Sequence, residues 1–398
     1  MGKLDRLIEE FCPDGVEYKS LKEIAVVSGA GVDKKINTNE QPIKLLNYMD
    51  VYRNNYIDSS LDFMEVTASE NKISQCNVLK GDVFITPSSE VLNDIGNAAV
   101  ITEDLENVVY SYHIMRIRLK KRNFITSKYM GYIFESNYVQ TQINRYAEGI
   151  TRYGLTKTKW EGITIPLPPL PVQEEIVRIL DNFTELTAEL TAELTARKKQ
   201  YEYYRDELLT FGDEVEYVKL GEVCDYEQPT KYIVKSTDYN DDFKLPVLTA
   251  GESFILGYTD ETEGIYEASK NNPVIIFDDF TTSFHWVDFD FKVKSSAMKM
   301  LKLSNKTALF RYIYHCMRNI KFAPSGHRRR WIREYSEIAI PLPPLPVQEE
   351  IVRILDNFTE LTAELTAELT AELTARKKQY EYYREKLLTF KELKAKEA

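Results

Sequence analysis

Four cysteines and four histidines in 398 residues leave little from which to build a metal centre. Cys12, Cys76, Cys224 and Cys316 are scattered, with no Cys-x-x-Cys and no histidine at ligand spacing, so they read as reduced, buried thiols. His315 beside Cys316 reads as incidental within a helix. No apolar run approaches the roughly 20 residues that a membrane span needs. Met1-Gly-Lys-Leu-Asp5 does not open like a secretory leader, and a cytoplasmic protein is expected.

Catalytic signatures are missing as well. There is no Gly-x-x-x-x-Gly-Lys-Ser/Thr loop, and Gly29-Ala-Gly31 lacks the third glycine of a dinucleotide motif. Neither a Gly-x-Ser-x-Gly elbow nor His-Glu-x-x-His occurs. Pro168-Pro169 and Pro343-Pro344 follow leucine and precede no aromatic, so they are not the Asn/Asp-Pro-Pro-aromatic tetrapeptide of adenine methyltransferases. Asp278-Asp279 reads as an acidic strand end rather than a metal pair. The chain is expected to catalyse nothing and to hold no metal or cofactor.

What is present is a long internal repeat, which fixes architecture before any single residue is interpreted. PVQEEIVRILDNFTELTAELTAELTARKKQYEYYR begins at Pro171 and again at Pro346, where it carries one additional Thr-Ala-Glu-Leu. Ile-Pro-Leu-Pro-Pro-Leu precedes both copies, from Ile165 and from Ile340. The prolines predict an extended lead-in, and Pro171 is suited to open a helix with Glu174 and Glu175 in its first turn. Ile176, Leu180, Phe183, Leu190 and Leu194 continue to Phe211 at heptad spacing, with Thr187 and Arg197 filling the gaps, and Gly212 marks the end. Ile351, Leu355, Phe358, Leu365 and Leu369 repeat the register, and Leu373 enters with the additional tetrapeptide as a stutter. Each helix is predicted to be about 60 Å long. The two seams are expected to pack on each other, as an antiparallel pair forming a rod between two domains.

The repeat extends further. Asp14-Gly-Val-Glu-Tyr-Lys-Ser-Leu21 matches Asp213-Glu-Val-Glu-Tyr-Val-Lys-Leu220, and Leu7–Phe11 echoes Leu208–Phe211. The expected fold class is α+β: two globular domains separated by two long antiparallel helices in a pseudo-two-fold tandem. The divisions are 1–12, a short helix completing the repeat; 13–165, the first domain; 166–212, the first helix; 213–340, the second domain; and 341–398, the second helix. Within the domains, Gly81-Asp-Val-Phe-Ile-Thr86 and Pro273-Val-Ile-Ile-Phe277 look like strands, and 126–146 and 307–321 like helices.

The net charge of −11 argues against nucleic acid at first sight, but much of it belongs to the glutamates of the helices. Residues 107–134 contain no acid, while Arg116, Arg118, Lys121 and Arg122 fall inside. Two basic loops precede the proline lead-ins. One carries Arg152, Tyr153 and Lys157 after Gly149; the other carries Arg328, Arg329, Arg330 and Arg333 after Gly326. Lys231 is a further candidate. Such cations neutralise phosphates, and arginine can hold guanine bidentately in the major groove.

Taken together, the variable domain, the proline lead-in, Pro-Val-Gln-Glu-Glu-Ile-Val-Arg-Ile-Leu-Asp and the Thr-Ala-Glu-Leu repeat closely resemble the specificity subunit of type I restriction-modification systems, over the whole chain. The resemblance implies that each domain reads one half of a bipartite, asymmetric DNA target. It also implies that the helices dock two methyltransferase subunits and restriction subunits, which carry S-adenosylmethionine, ATP and magnesium. Four helical residues translate a domain by about 6 Å and turn it by about 40°. Deleting Thr370–Leu373 is therefore expected to change the spacer by about one base pair. The competing readings are a methyltransferase or nuclease with an unrecognised site, and a coiled-coil scaffold that binds protein.

Overall fold

The computed structural model describes residues 2–251, 253–304 and 306–393. Met1, positions 252 and 305 within the expected second domain, and 394–398 of the expected second helical segment lie outside the described residues. The chain forms two compact units, Met1–Thr191 with Ala371–Ala398, and Ala192–Thr370. Each unit therefore takes one half of each long helix, Leu170–Leu208 and Leu345–Leu388.

In the first unit a five-stranded sheet runs in the order Ala25–Ser28, Met115–Leu119, Val83–Ile85, Ala98–Ile101, Tyr56–Ile57. All its pairs are antiparallel except the last. A three-stranded sheet of Met64–Ala68, Gln41–Leu46 and Val108–Tyr110 stands beside it. The second unit repeats the plan with four strands (Cys224–Glu227, Met298–Leu303, Val274–Asp278, Phe284–Val287) and three (Ile255–Thr259, Leu245–Leu248, Lys292–Val293). Each unit has two apolar clusters, one of which reaches the long helices. A short strand pair leads into each helix, Glu17–Ser20 with Thr164–Leu167 and Tyr217–Lys219 with Ala339–Pro341.

The helices meet through aromatics. In the second unit the Tyr201 hydroxyl lies 3.1 Å from Thr359 Oγ1, and Tyr204 stacks on Phe358 at 5.6 Å, so position falls along one helix as it rises along the other and the pair is antiparallel. In the first unit Phe183 packs against Tyr380 and Tyr383. The expected seam is nevertheless divided. Ile176 and Leu180 belong to the first domain's core and Ile351 and Leu355 to the second's, because the first turns of each helix carry their own domain. Leu190, Leu194, Leu365 and Leu373 are half-buried, and Leu369 is buried.

How each domain is held on its helix explains much of the repeat's identity. Gln173 accepts from the Thr126 N–H at 3.0 Å and donates to the carbonyls of Phe124 and Pro168, both at 2.7 Å. Gln348 does the same with the Leu309 N–H and the carbonyls of Thr307 and Pro343. Both glutamines are fully buried, so every partner they satisfy would otherwise be an orphan. Eight residues on, Asp181 accepts from Tyr56, Tyr132 and Lys128, and Asp356 accepts from Arg311 and His315, each at 2.8 Å. Lys128 and Tyr132, like Arg311 and His315, lie four apart on one helix, Ser127–Phe134 or Phe310–Asn319. His315 is thus a docking group rather than an incidental neighbour of Cys316. All four cysteines are buried and free, and burial pushes the thiols of Cys224 and Cys316 up to about 12.

Candidate nucleic-acid interface

In the second unit the basic loop is built around a buried acid. Asp279 Oδ1 accepts the backbone N–H groups of Arg330 and Trp331 at 3.1 and 2.9 Å, and its Oδ2 pairs with Lys299 at 3.2 Å. Asp279 and Lys299 are almost wholly excluded from solvent, which is tolerable for two charges only when both are paired and hydrogen-bonded. Trp331 anchors the loop from below against Phe277. The Arg330 guanidinium closes it, donating to Glu334 at 2.8 Å and to the carbonyls of Ser325 and Gly326. Gly326 adopts φ +72°, the left-handed region that a side chain disfavours. On this frame His327, Arg328, Arg329 and Arg333 face solvent. His327 stacks on Phe280 at 4.5 Å, and Arg328 pairs with Glu334 at 3.0 Å. Arg329 and Arg333 make no ion pair among the described residues.

The first unit presents a hairpin at the corresponding place. Glu148 and Gly154 exchange backbone bonds at 3.0 Å, and Gly149 turns at φ +138°. At its tip Ile150 is 93% exposed. Arg152 donates to Ser88 Oγ at 3.1 Å, and Tyr153 is half-buried in the strand paired with Ser89. Lys157 is exposed and pairs with Glu161 at 3.5 Å. Nearby, the rings of Tyr112 and His113 lie 4.0 Å apart. Val32 bridges Ser111, which runs the loop of Lys34 beside Tyr112 and His113. Burial first, then the charges of Lys34 and Arg152, hold the His113 imidazole below its ordinary value. Gly31 makes this possible, since a Cβ there would lie 2.2 Å from the Tyr112 nitrogen. Lys34, Tyr112 and His113 escaped the sequence reading, because nothing local announces that two loops 80 residues apart converge.

Several expected DNA contacts are corrected. Arg116 is buried and donates to the Asn77 carbonyl at 2.8 Å. Arg118 grips the buried Asp82 with two bonds of 2.6 Å. Arg116 and Arg118, two apart on Met115–Leu119, share one face of the sheet and both bond Asn77, so this face of the basic run is spent inside the domain. Arg122 bonds the Lys80 carbonyl, and Lys121 is exposed. Arg330 turns inward and shapes its loop instead of facing a groove. Lys231 is exposed but paired with Glu227 at 3.0 Å, and Lys302 shares that carboxylate. Lys302 first, then Lys231, hold Glu227 down to about 2. Asp278 accepts from the N–H groups of Phe280 and Thr281, which uses it as a turn cap. Among the described residues no group of three or more His, Cys, Asp or Glu is placed to hold a metal ion, and no helix is long and apolar enough to cross a membrane.

Residues 13–197 and 212–375 both match the family model described as type I restriction modification DNA specificity domain. The type I restriction enzyme EcoR124I/EcoR124II specificity subunit of Escherichia coli is 58% identical over 200 residues, 48% of this chain and 48% of that protein. The EcoprrI specificity subunit, also of Escherichia coli, is 71% identical over 173 residues, 39% of this chain and 42% of its own length. The matched stretch spans about half the length of each relative or less. A crystal structure of a type I restriction-modification S subunit from M. genitalium superposes with a TM-score of 0.53 at 14% identity, covering 94% of this chain and 96% of that one, a likeness of fold.

Proposed function

Because this chain belongs to the type I restriction modification DNA specificity family, we propose that it is the sequence-recognition subunit of such a system and performs no catalysis itself. Each globular domain reads one half of a bipartite, asymmetric double-stranded DNA target. The long helices set the half-site separation and dock two methyltransferase subunits and the restriction subunits. S-adenosylmethionine, ATP and magnesium are bound by those partners.

The observation that carries the reading is the recurrence, before each proline lead-in, of a braced loop that bears exposed cations. In the second unit Arg330 and Asp279 hold the loop while Arg329 and Arg333 remain outside. In the first, Arg152 is exposed and braced on Ser88 at the base of the hairpin. A loop whose backbone is held in place suits groove reading, since little backbone freedom is then lost on contact.

The test is genome-wide mapping of methylated adenine in strains with and without this gene. Methylation at one split, asymmetric motif is expected to disappear with the gene. An unchanged methylome, or loss at a continuous palindrome, would overturn the reading.

A further inference from the structure

The repeat gives the two units the same helix sequence at 170–178 and 345–353, but the two copies are not covered alike. In the first unit Val172 is fully buried and the Glu175 side chain is 3% exposed. The cover is the N-terminal helix Lys3–Phe11. Its Lys3 lies 2.7 Å from Glu175 Oε2, and Leu4, Leu7 and Ile8 join the apolar cluster that contains Val172 and Ile176. The adjoining strand edge is covered too, as Val16 N donates to the Lys391 carbonyl at 2.8 Å and Leu393 N to the Val16 carbonyl at 3.0 Å.

In the second unit the same surface is bare. Val347 is 41% exposed and the Glu350 side chain 55%, with Arg353 of its own helix as partner. Val215, the counterpart of Val16, is half-buried, and Tyr217 is exposed. At the start of this helix Pro344 and Leu345 border a groove of about 760 Å³ with Val215, Val218 and Leu342. The reason lies in the sequence. Between the long helix's end at Leu208 and the matching segment from Asp213 stand only four residues, 209–212, whereas the separate helix Lys3–Phe11 precedes Asp14.

We propose that the bare face around Val347 and Glu350 docks an amphipathic helix of a partner chain, with the chemistry of Lys3–Phe11: a basic residue at its start and leucine or isoleucine at positions one, four and five after it. The identical residues of the sister unit already hold such a helix, and Glu350 offers the carboxylate that Lys3 engages there. The chain's own helix cannot serve, because it runs directly into Asp14 of the first unit and is tied to Glu175. Burying one valine and two leucine-sized groups contributes enough to hold a short helix only weakly, so the partner supplies further contacts of its own.

The probe is a fluorescein-labelled, helix-stabilised peptide of residues 2–13 with Cys12→Ser, titrated into the full chain and followed by anisotropy. Saturable binding of one peptide per chain is expected. Val347→Asp and Glu350→Lys should each weaken it about tenfold, and a Lys3→Glu peptide should regain affinity for the Glu350→Lys chain. Both substituted positions are exposed, and unchanged circular dichroism confirms folding. No saturable binding up to about 1 mM, binding indifferent to both substitutions, or failure of the reversed pair overturns the proposal. It stands or falls separately from DNA recognition, since the methylation map does not depend on this peptide.

Discussion

The Tyr18 hydroxyl donates to the Phe390 carbonyl at 2.8 Å, across 372 positions of sequence. Tyr217 makes the same bond to Phe211 at 2.9 Å across six. The two tyrosines occupy the same place in the repeated Val-Glu-Tyr, and the two phenylalanines follow the ends of the two long helices. The first unit is therefore assembled from the two ends of the chain in the way the second is assembled from a continuous stretch.

Removing either hydroxyl by Tyr→Phe should cost about 1 kcal/mol. Truncation before Lys391 leaves Phe390 in place but should cost the first unit more, because it opens Val16 and deletes two backbone bonds to it. Urea unfolding of the single and truncated variants checks the order.

Gln348→Leu should destabilise the second unit by about 3 kcal/mol, since it strands one buried N–H and two carbonyls at once. Gln173→Leu should act alike in the first unit. A chemical denaturation curve of each variant measures the loss, and equal effects would support one docking socket used twice.

His315 makes the second unit sensitive to acid. Burial first, and Arg311 and Arg318 besides, pull its imidazole below the ordinary value, while Asp356 opposes them. With Asp356 Oδ1 as acceptor, Nε2 carries the hydrogen, and Nδ1 has no partner among the described residues. A folded value lower than the unfolded one means that the unfolded chain takes the proton first. Stability is thus full above about pH 6.5 and declines below it, by at most about 1.4 kcal/mol per pH unit. In His315→Gln the slope contributed between pH 6.5 and 5 should vanish, read from urea midpoints across that range. The first unit has Tyr132 at this position, whose hydroxyl burial raises, so it keeps its proton and contributes no such slope.

The arginines of one loop should separate by role. Arg329→Ala and Arg333→Ala should leave the fold intact and each reduce the salt dependence of DNA binding by about one phosphate. Arg330→Ala should instead lower stability by about 3 kcal/mol, because the Ser325 and Gly326 carbonyls lose their donor and Glu334 keeps only Arg328. Salt titrations of the assembled complex, with thermal melts of each variant, distinguish the two classes.

Periodicity and repetition were sufficient to place the helices, the tandem and the proline lead-ins, because those features depend on local backbone preference and on an apolar stripe carried by the chain itself. Where the stripe leads depended on tertiary structure. Ile176 and Ile351 look like members of a helix-pair seam, and only packing showed them to be domain core. A basic side chain likewise gives no local sign of whether an acid waits beneath it. Arg118 met Asp82 and Arg330 met Glu334, partners brought close by folding, whereas Arg329 kept its charge outward. The sequence by itself determined which segments are alike. The three-dimensional fold decided which of the like segments are covered, since identical residues at Val172 and Val347 differ only in what the rest of the chain lays over them.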